Sequence, residues 1–109
     1  MNTIEQKSVP IGKLDDFEDG APTRVDIGPL RLCVVHHADQ VYAVDDLCTH
    51  AHAFLSDGEF DADECAMECP LHGGLVDART GKACGAPITR DARAYATRVV
   101  DGEVHVIID

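Results

Sequence analysis

Two short clusters of cysteine and histidine stand out in the sequence. Cys48 and His50 lie in the segment CTHAHAF, Cys69 and His72 lie in CPLH, and eighteen residues, 51 to 68, separate the two clusters. Thiolate and neutral imidazole suit zinc, copper or iron, and two ligand pairs on opposed loops can close a four-ligand site. The spacing therefore predicts a metal centre with these four residues as its ligands.

Two kinds of metal centre are compatible with this ligand set. One is a structural zinc site with two Cys and two His ligands. The other is a Rieske [2Fe-2S] centre, in which two Cys hold one iron and two His hold the other. Zinc fingers usually place a Cys pair before a His pair, whereas each cluster here supplies one residue of each type. The mixed order favours the Rieske centre and leaves zinc as the alternative.

The sequence around the clusters resembles the Rieske iron-sulfur family, and within it the small ferredoxins that serve multicomponent aromatic-ring oxygenases. The resemblance is clearest from VYAVDDL at 41–47, through both clusters, to RTGK at 79–82 and GAP at 85–87. It continues more weakly in VDGEV at 100–104. The fold that it implies is all-β: the Rieske iron-sulfur fold, with three stacked antiparallel sheets and a small cluster-binding subdomain.

The resemblance also implies a role for each ligand. Cys48 and Cys69 would hold the inner iron of one [2Fe-2S] cluster, and His50 and His72 would hold the outer iron. Pro87 would lie in a loop that covers the cluster. The chain would be an electron carrier and not an enzyme, taking single electrons from a flavoprotein NAD(P)H reductase to a terminal oxygenase.

Two other functions remain open from the sequence. One is the Rieske small subunit of an assimilatory nitrite reductase, which shares the fold; the other is a zinc-stabilised interaction module. An oxygenase itself is disfavoured, because the sequence offers no second metal site of two His and one carboxylate beyond the two clusters.

Four positions near the clusters bear on the reduction potential. High-potential Rieske proteins resemble this pattern, but each of their two Cys–His segments has one more cysteine. They also have a serine and a tyrosine whose hydroxyl groups reach the sulfur atoms of the [2Fe-2S] cluster. The equivalent positions here are Ala53, Leu71, Gly74 and Val76, and none of these side chains can donate such a hydrogen bond. Fewer donors stabilise the added electron less, so we expect a potential of about −150 mV rather than +300 mV.

The remaining cysteines and one further histidine have simpler interpretations. His52 could replace His50 as a ligand or act at a docking surface, but an exposed loop histidine without a role is the simpler expectation. Cys33 lies inside the apolar run LRLCVV and is expected in the core. Cys65 and Cys84 have no triad-like third partner in the sequence, which argues against a cysteine-nucleophile enzyme.

The segment DGEFDADECAME, residues 57–68, places acids as a calcium-binding loop does. Ala62 stands where the sharp turn of such a loop requires glycine, so a solvated acidic loop is the better interpretation. The spacer between the clusters is slightly longer than is common in the family that the sequence resembles. An extra turn around 59–64 would accommodate the added length.

The elements that must position these residues are short strands. Apolar segments are brief and interrupted by Gly, Pro and Asp, and helical periodicity is weak. We expect strands at residues 6–9, 23–27, 30–36, 41–44, 66–68, 75–77, 95–100 and 103–108. Asp101 and Gly102 should form a type I′ hairpin turn, and residues 37–40 should close a second hairpin.

The composition changes in the middle of the chain. Four of the five cysteines and three of the six histidines fall between residues 45 and 87. We therefore expect a single domain, 1–109, in which a cluster-binding subdomain at about 45–87 is carried on a scaffold formed by 1–44 and 88–109.

Length and charge limit the classes of partner. A chain of 109 residues suits one domain, and its formal net charge of −11 disfavours nucleic acid and anionic lipid surfaces. An electropositive protein partner fits better, although a solvated acidic surface without a docking role would have the same composition. No apolar run is long enough to span a membrane, and the opening MNTIEQKSVPIGKL has no export signal. We expect a cytoplasmic monomer.

Overall fold

Eleven short strands make up the structure, a computed structural model that describes residues 7–50 and 52–108. The strands are β1 Lys7–Lys13, β2 Thr23–Ile27, β3 Leu30–His37, β4 Gln40–Asp45, β5 Glu59–Asp61, β6 Ala66–Glu68, β7 Leu75–Asp77, β8 Ala83–Gly85, β9 Ala94–Tyr95, β10 Thr97–Val100 and β11 Glu103–Ile108. The helical segments within these residues are two single 3-10 turns, Leu14–Asp16 and Leu55–Asp57. No helix in the described ranges is long and apolar enough to cross a membrane.

The strands pair into three antiparallel sheets. Their orders are β1-β11-β10, β2-β3-β4-β9 and β5-β6-β7-β8. The prediction of an all-β fold with three antiparallel sheets is confirmed. The third sheet is built wholly from residues 59–85, which lie inside the segment that carries the cysteine and histidine clusters.

Strand β3 contributes to both hydrophobic cores of the molecule. Leu32 and Val34 lie in one core, while Cys33 and Val35 lie in the core that also contains both predicted cysteine ligands. Successive side chains of a strand point to opposite faces of its sheet, so a strand covered on both sides reads as a continuous apolar run. This double burial explains the run LRLCVV, and it confirms the core position predicted for Cys33.

Two hairpin turns lie where the sequence predicts them. Asp101 and Gly102 have φ angles of 51° and 79°, the two left-handed positions of a type I′ turn between β10 and β11. Ala38 and Asp39, with φ angles of 51° and 64°, join β3 to β4 in the same way. The strands on either side are thereby held in a fixed register.

Other strand predictions need correction. The predicted strand 95–100 is interrupted at Ala96, because β9 pairs with β4 in one sheet and β10 pairs with β11 in another. The first strand extends beyond residue 9 to Lys13, with a register shift between Pro10 and Gly12, and residue 6 of that prediction lies outside the described residues. The short strands β5 and β8 were not predicted, because their acidic and glycine-containing sequences lack strand composition.

The acidic segment between the clusters is a β-hairpin. Strand β5 pairs with β6, and residues 62–65 form the turn between them. The Asp61 carboxylate accepts backbone hydrogen bonds from Asp63 (3.0 Å) and Glu64 (3.1 Å), a common way for Asp to stabilise a turn. The turn itself lies at 62–65, at the end of the range expected for the extra turn.

Candidate metal centre

The first cluster lies in a loop whose two ends are hydrogen-bonded to each other. Leu47 and Phe54 form an isolated antiparallel bridge, and the Cys48 N–H donates to the Ala53 carbonyl at 2.8 Å. These contacts bury the Cys48 side chain, which is 3% exposed, whereas His50 is exposed. The loop therefore presents a thiol inward and an imidazole outward.

The second cluster forms a tighter loop of the same kind. The Cys69 N–H donates to the Gly74 carbonyl at 2.8 Å, and the Cys69 carbonyl accepts from Gly73 at 3.1 Å. Gly73 has a φ of 71°, a left-handed conformation that glycine adopts without a steric cost. Cys69 is 1% exposed and His72 is exposed, so this loop also places its thiol inside and its imidazole outside.

The two loops bring like residues together. The ring centroids of His50 and His72 are 5.5 Å apart, with the rings nearly perpendicular. Burial raises the pKa of the Cys69 thiol and the neighbouring Cys48 thiol raises it further, while backbone N–H groups of Leu71 and His72 act in the opposite direction. The predicted ligands therefore come together as two pairs, one of buried thiols and one of exposed imidazoles.

This arrangement fits a cluster of two metal ions. In a [2Fe-2S] centre of the Rieske type, two thiolates bind one iron and two imidazoles bind the other. Within the ranges that the structure describes, no group of three or more His, Cys, Asp or Glu side chains is placed to hold a single metal ion. The backbone N–H groups of Leu71 and His72, which lower the pKa of the Cys69 thiol against the effect of burial, would also stabilise negative charge there.

The segment that contains Pro87 contacts both ligand loops. Ile88 is buried against Gly74, where a Cβ atom would lie only 2.5 Å from Ile88 Cγ1. The Thr49 hydroxyl donates to the Arg90 carbonyl at 2.8 Å. We call residues 86–92 the cover segment, because it lies against the loops of Cys48 and Cys69 at once.

A turn after β7 holds the far end of the cover segment. The Ala92 N–H donates to the Gly81 carbonyl at 2.7 Å, and the Gly81 N–H donates to the backbone carbonyl of Asp77 at 2.8 Å. Hydrogen bonds from the Arg79 side chain hold the pKa of the Asp77 carboxyl below its ordinary value. Asp77 is therefore ionised at neutral pH and fixes the turn that carries Gly81.

The positions expected to control the potential offer no side-chain hydroxyl. Ala53, Gly74 and Val76 are buried, and Leu71 is exposed. The nearest hydroxyl in the sequence is that of Thr49, and its proton is directed to a backbone carbonyl of the cover segment. The structure therefore agrees with the expectation that side-chain donors are few.

The remaining cysteines are arranged unlike a nucleophilic site. Cys65 is half-buried with a φ of 51°, and Cys84 is exposed at the outer strand β8. Burial raises the pKa of the Cys84 thiol, and the nearby carboxylate of Asp77 raises it further. A raised pKa keeps the thiol protonated at neutral pH, whereas a nucleophilic cysteine needs a thiolate.

The other histidines have separate surroundings. The Nδ1 atom of His36 lies 3.1 Å from the Phe17 carbonyl, and that of His105 lies 3.0 Å from the Ser8 hydroxyl. His52 lies in the first loop and is exposed.

The buried carboxylate of Asp46, next to the loop of Cys48 and His50, was not predicted from the sequence. Asp46, in the segment VYAVDDL, has a side chain that is fully buried and accepts hydrogen bonds from Arg31 and Ser56. The only sequence signal is that one of two adjacent aspartates directly precedes the first loop. Nothing in the sequence indicated that this one would be buried.

Comparison with known proteins identifies the kind of centre. The family model for the Rieske [2Fe-2S] domain matches residues 7–104 of this chain. The chain belongs to the Rieske family. It therefore carries one Rieske-type [2Fe-2S] cluster, as its cysteine and histidine pattern predicts.

Several Rieske proteins are similar over most of their length. The anthranilate 1,2-dioxygenase ferredoxin subunit of Burkholderia cepacia is 44% identical over 97 residues, covering 89% of this chain and 88% of the relative. The ferredoxin of carbazole 1,9a-dioxygenase from Nocardioides aromaticivorans IC177 has a TM-score of 0.88 at 39% identity, covering 91% of this chain and 95% of that one.

Two further solved structures are similar in fold to this chain but differ widely in sequence identity to it. A chain in the complex of reduced oxygenase and oxidized ferredoxin in carbazole 1,9a-dioxygenase has a TM-score of 0.82 at 36% identity, covering 91% of both chains. An NADH-dependent nitrite reductase small subunit from Mycobacterium tuberculosis has a TM-score of 0.86 at 16% identity, covering 97% of this chain and 98% of that one. At that identity the second likeness shows a shared Rieske fold alone.

Proposed function

We propose that this chain is a one-electron carrier that receives an electron from a flavoprotein NAD(P)H reductase and passes it to a terminal oxygenase. Its relatives are ferredoxin components of dioxygenase systems, and one of them is seen in a complex with its oxygenase. The observation that supports the proposal most directly is the pair of exposed imidazoles, 5.5 Å apart, carried by the same two loops as a buried thiol pair. This arrangement offers a short route for an electron between a partner and the cluster.

In this proposal Cys48 and Cys69 hold the inner iron, and His50 and His72 hold the outer iron. The bound cluster supplies reversible uptake of one electron. The backbone N–H groups of Leu71 and His72 lower the pKa of the Cys69 thiol against the effect of burial, and the buried position of both sulfurs limits their contact with water. The exposed imidazoles bring the outer edge of the site within reach of a docked protein.

The remaining parts of the proposal concern the chain as a whole. We propose a single domain with residues 45–87 as its cluster-binding subdomain, a cytoplasmic location and a monomeric state. The third sheet, which spans residues 59–85, supports this division of the domain. The nitrite reductase alternative has only a shared fold in its favour. Zinc is disfavoured by the family to which the chain belongs.

A transfer assay tests the proposal directly. The holoprotein should accept electrons from NAD(P)H through a flavoprotein reductase of an aromatic dioxygenase system, and should then reduce the matching terminal oxygenase. Omission of this chain should stop the transfer. A cluster that is never reduced, whichever nucleotide and reductase are supplied, would contradict the proposal.

We expect the reduction potential to lie near the low end of the Rieske range, about −150 mV. A side-chain donor at residue 74 should raise it. Ile88 blocks added atoms at this position, so the variant is Gly74→Ser combined with Ile88→Ala, and the control is Gly74→Ala combined with Ile88→Ala. An upward shift in the serine variant alone, measured by redox titration, is the expected result. Equal potentials in the two double variants would exclude a hydroxyl effect at this position.

We expect the exposed leucine beside His72 to contribute to docking. Leu71 is 55% exposed, and apolar side chains at the centre of an interface lose water on docking. Leu71→Asp should lower the second-order rate of electron transfer to the oxygenase by about tenfold. Val100→Asp is the control, because Val100 is similarly exposed, at 46%, but lies in the β10–β11 hairpin. An equal loss of rate in both variants would indicate that charge, and not the docking surface, is responsible.

A further inference from the structure

Asp46 is the fully buried charged side chain of the described residues, with 0% exposure. A buried carboxylate is costly unless it is paired and hydrogen-bonded. Its Oδ2 atom accepts from Arg31 Nε at 2.7 Å and from the Ser56 hydroxyl at 2.7 Å, and its Oδ1 atom accepts from the Ser56 N–H at 2.7 Å. Both carboxylate oxygens are thus satisfied by residues from two different parts of the chain.

The backbone of Asp46 joins the same two parts. Its N–H donates to the Arg31 carbonyl at 2.9 Å, and its carbonyl accepts from the Leu55 N–H at 2.7 Å. Arg31 also stacks on Phe54, with its guanidinium carbon 3.4 Å from the centre of the ring. The residues on either side of the loop 47–54 are therefore fastened to one another, and both are fastened to β3.

The fastened loop is the one that carries Cys48 and His50. Asp46 precedes Cys48 by two residues, so their Cα atoms lie within about 7 Å of each other. A buried ion pair adds little to stability when compared with apolar residues of similar volume. The Asp46–Arg31 pair contributes geometry instead. The Asp46 carboxylate has one arrangement in which all its hydrogen bonds are made, and that arrangement fixes the two ends of the loop.

We propose that Asp46 and Arg31 are positioning residues for the first ligand loop, and that their charges act on the cluster with opposite sign. The proposal rests on the ligand assignment given above. The negative charge of Asp46 opposes the addition of an electron nearby, and the positive charge of Arg31 favours it. Screening by solvent is weak for these groups, because Asp46 is fully buried and the Arg31 side chain is 27% exposed.

The test compares the paired charges beside the loop with exposed charges of each sign on a different sheet, β1-β11-β10. The variants Asp46→Asn, Arg31→Gln and Arg31→Lys are measured as purified holoproteins. The controls are Glu103→Gln and Arg98→Gln, which each remove one exposed charge from the β10–β11 hairpin. Two quantities are measured for each protein: the reduction potential, and the rate at which a chelator removes the iron.

We expect Asp46→Asn to raise the potential and Arg31→Gln to lower it, with Arg31→Lys remaining near wild type. Both neutral variants should lose iron faster, by on the order of tenfold, while the controls in the β10–β11 hairpin match wild type in both measurements. Shifts of the same sign for the two neutral variants, or shifts no larger than those of the controls, would overturn the proposal.

Ser56→Ala keeps the proposal testable if the charge variants do not fold. This change removes one hydrogen bond to Asp46 and no charge, so it should speed iron loss and leave the potential unchanged. Amide hydrogen exchange tests the positioning role of Asp46 independently of which residues bind the iron. If wild-type protein lacked a Rieske signal, the ligand assignment would fail, whereas rapid exchange of the Leu55 and Ser56 amides in wild type would refute the positioning role itself.

Discussion

Replacing His50 with alanine should abolish the Rieske signal of the reduced protein. The structure places the His50 ring 5.5 Å from the His72 ring and leaves both histidines exposed, while Cys48 and Cys69 are buried. In the proposed ligand assignment, loss of one imidazole would leave the outer iron with a single protein ligand, and open coordination favours loss of the cluster. The measurement is the EPR spectrum of anaerobically purified, dithionite-reduced protein, together with its iron content. Wild type should give a rhombic signal with an average g value below that of four-cysteine clusters.

His52→Ala is the matched control for this experiment. The same residue type is removed from the same loop, two residues further along, and His52 is also exposed. We expect its EPR spectrum and iron content to equal those of wild type. The reverse pattern, in which His52→Ala loses the signal and His50→Ala keeps it, would make His52 the ligand. A metal-loaded wild type without any signal would instead contradict the ligand assignment as a whole.

The two Cys–His pairs could be recognised from the sequence, whereas the contacts that support their loops could not. Cys48 and His50, like Cys69 and His72, are close in sequence, so their types and spacing carry the chemistry directly. Strands that cross the centre of the fold were also predictable, because β3 is covered on both faces and reads as an unbroken apolar run. The hairpin at Asp101 and Gly102 was predictable because its turn needs left-handed residues.

The supporting contacts could not be predicted, because they join residues far apart in sequence. Asp46 meets Ser56 and Arg31 only after the first loop has folded onto β3. Nothing local distinguishes Asp46 from Asp45, which instead accepts a hydrogen bond from Tyr95. Strands β5 and β8 are similar cases, since three residues of weak strand composition become a strand only through pairing with β6 and β7.

The contacts made at individual glycines could not be predicted from the sequence either, and at Gly81 such a contact should have a large effect on stability. Gly81→Ala should destabilise the protein by about 3 kcal/mol. Gly81 has a φ of 79°, which costs an alanine about 1 kcal/mol or more. A Cβ atom at this position would also meet the Ala92 carbonyl oxygen at 2.1 Å. Because that oxygen belongs to the backbone, the clash can be relieved only by moving the cover segment or the turn, at about 1–3 kcal/mol.

Gly28→Ala separates the two contributions. Gly28 lies in the β2–β3 turn with a φ of 55°, and a Cβ atom there would meet nothing within 4 Å. This variant therefore has the left-handed strain without the clash, and should lose only about 1 kcal/mol. The difference is measured from urea-induced unfolding of both holoproteins under identical conditions. Equal midpoints for the two variants would show that the Gly81–Ala92 contact contributes nothing to stability.

The same pair of variants links the cover segment to the cluster. The N–H of Ala92 donates to Gly81 and the Asp91 carboxylate accepts from the Ala83 N–H, so displacing residue 92 loosens the segment that lies on both ligand loops. Gly81→Ala should therefore release iron to a chelator faster than wild type under conditions where both remain folded. Gly28→Ala should not, because its turn joins scaffold strands outside the cover segment. Faster release from both variants would attribute the effect to global stability, and faster release from Gly81→Ala alone would assign it to the cover segment.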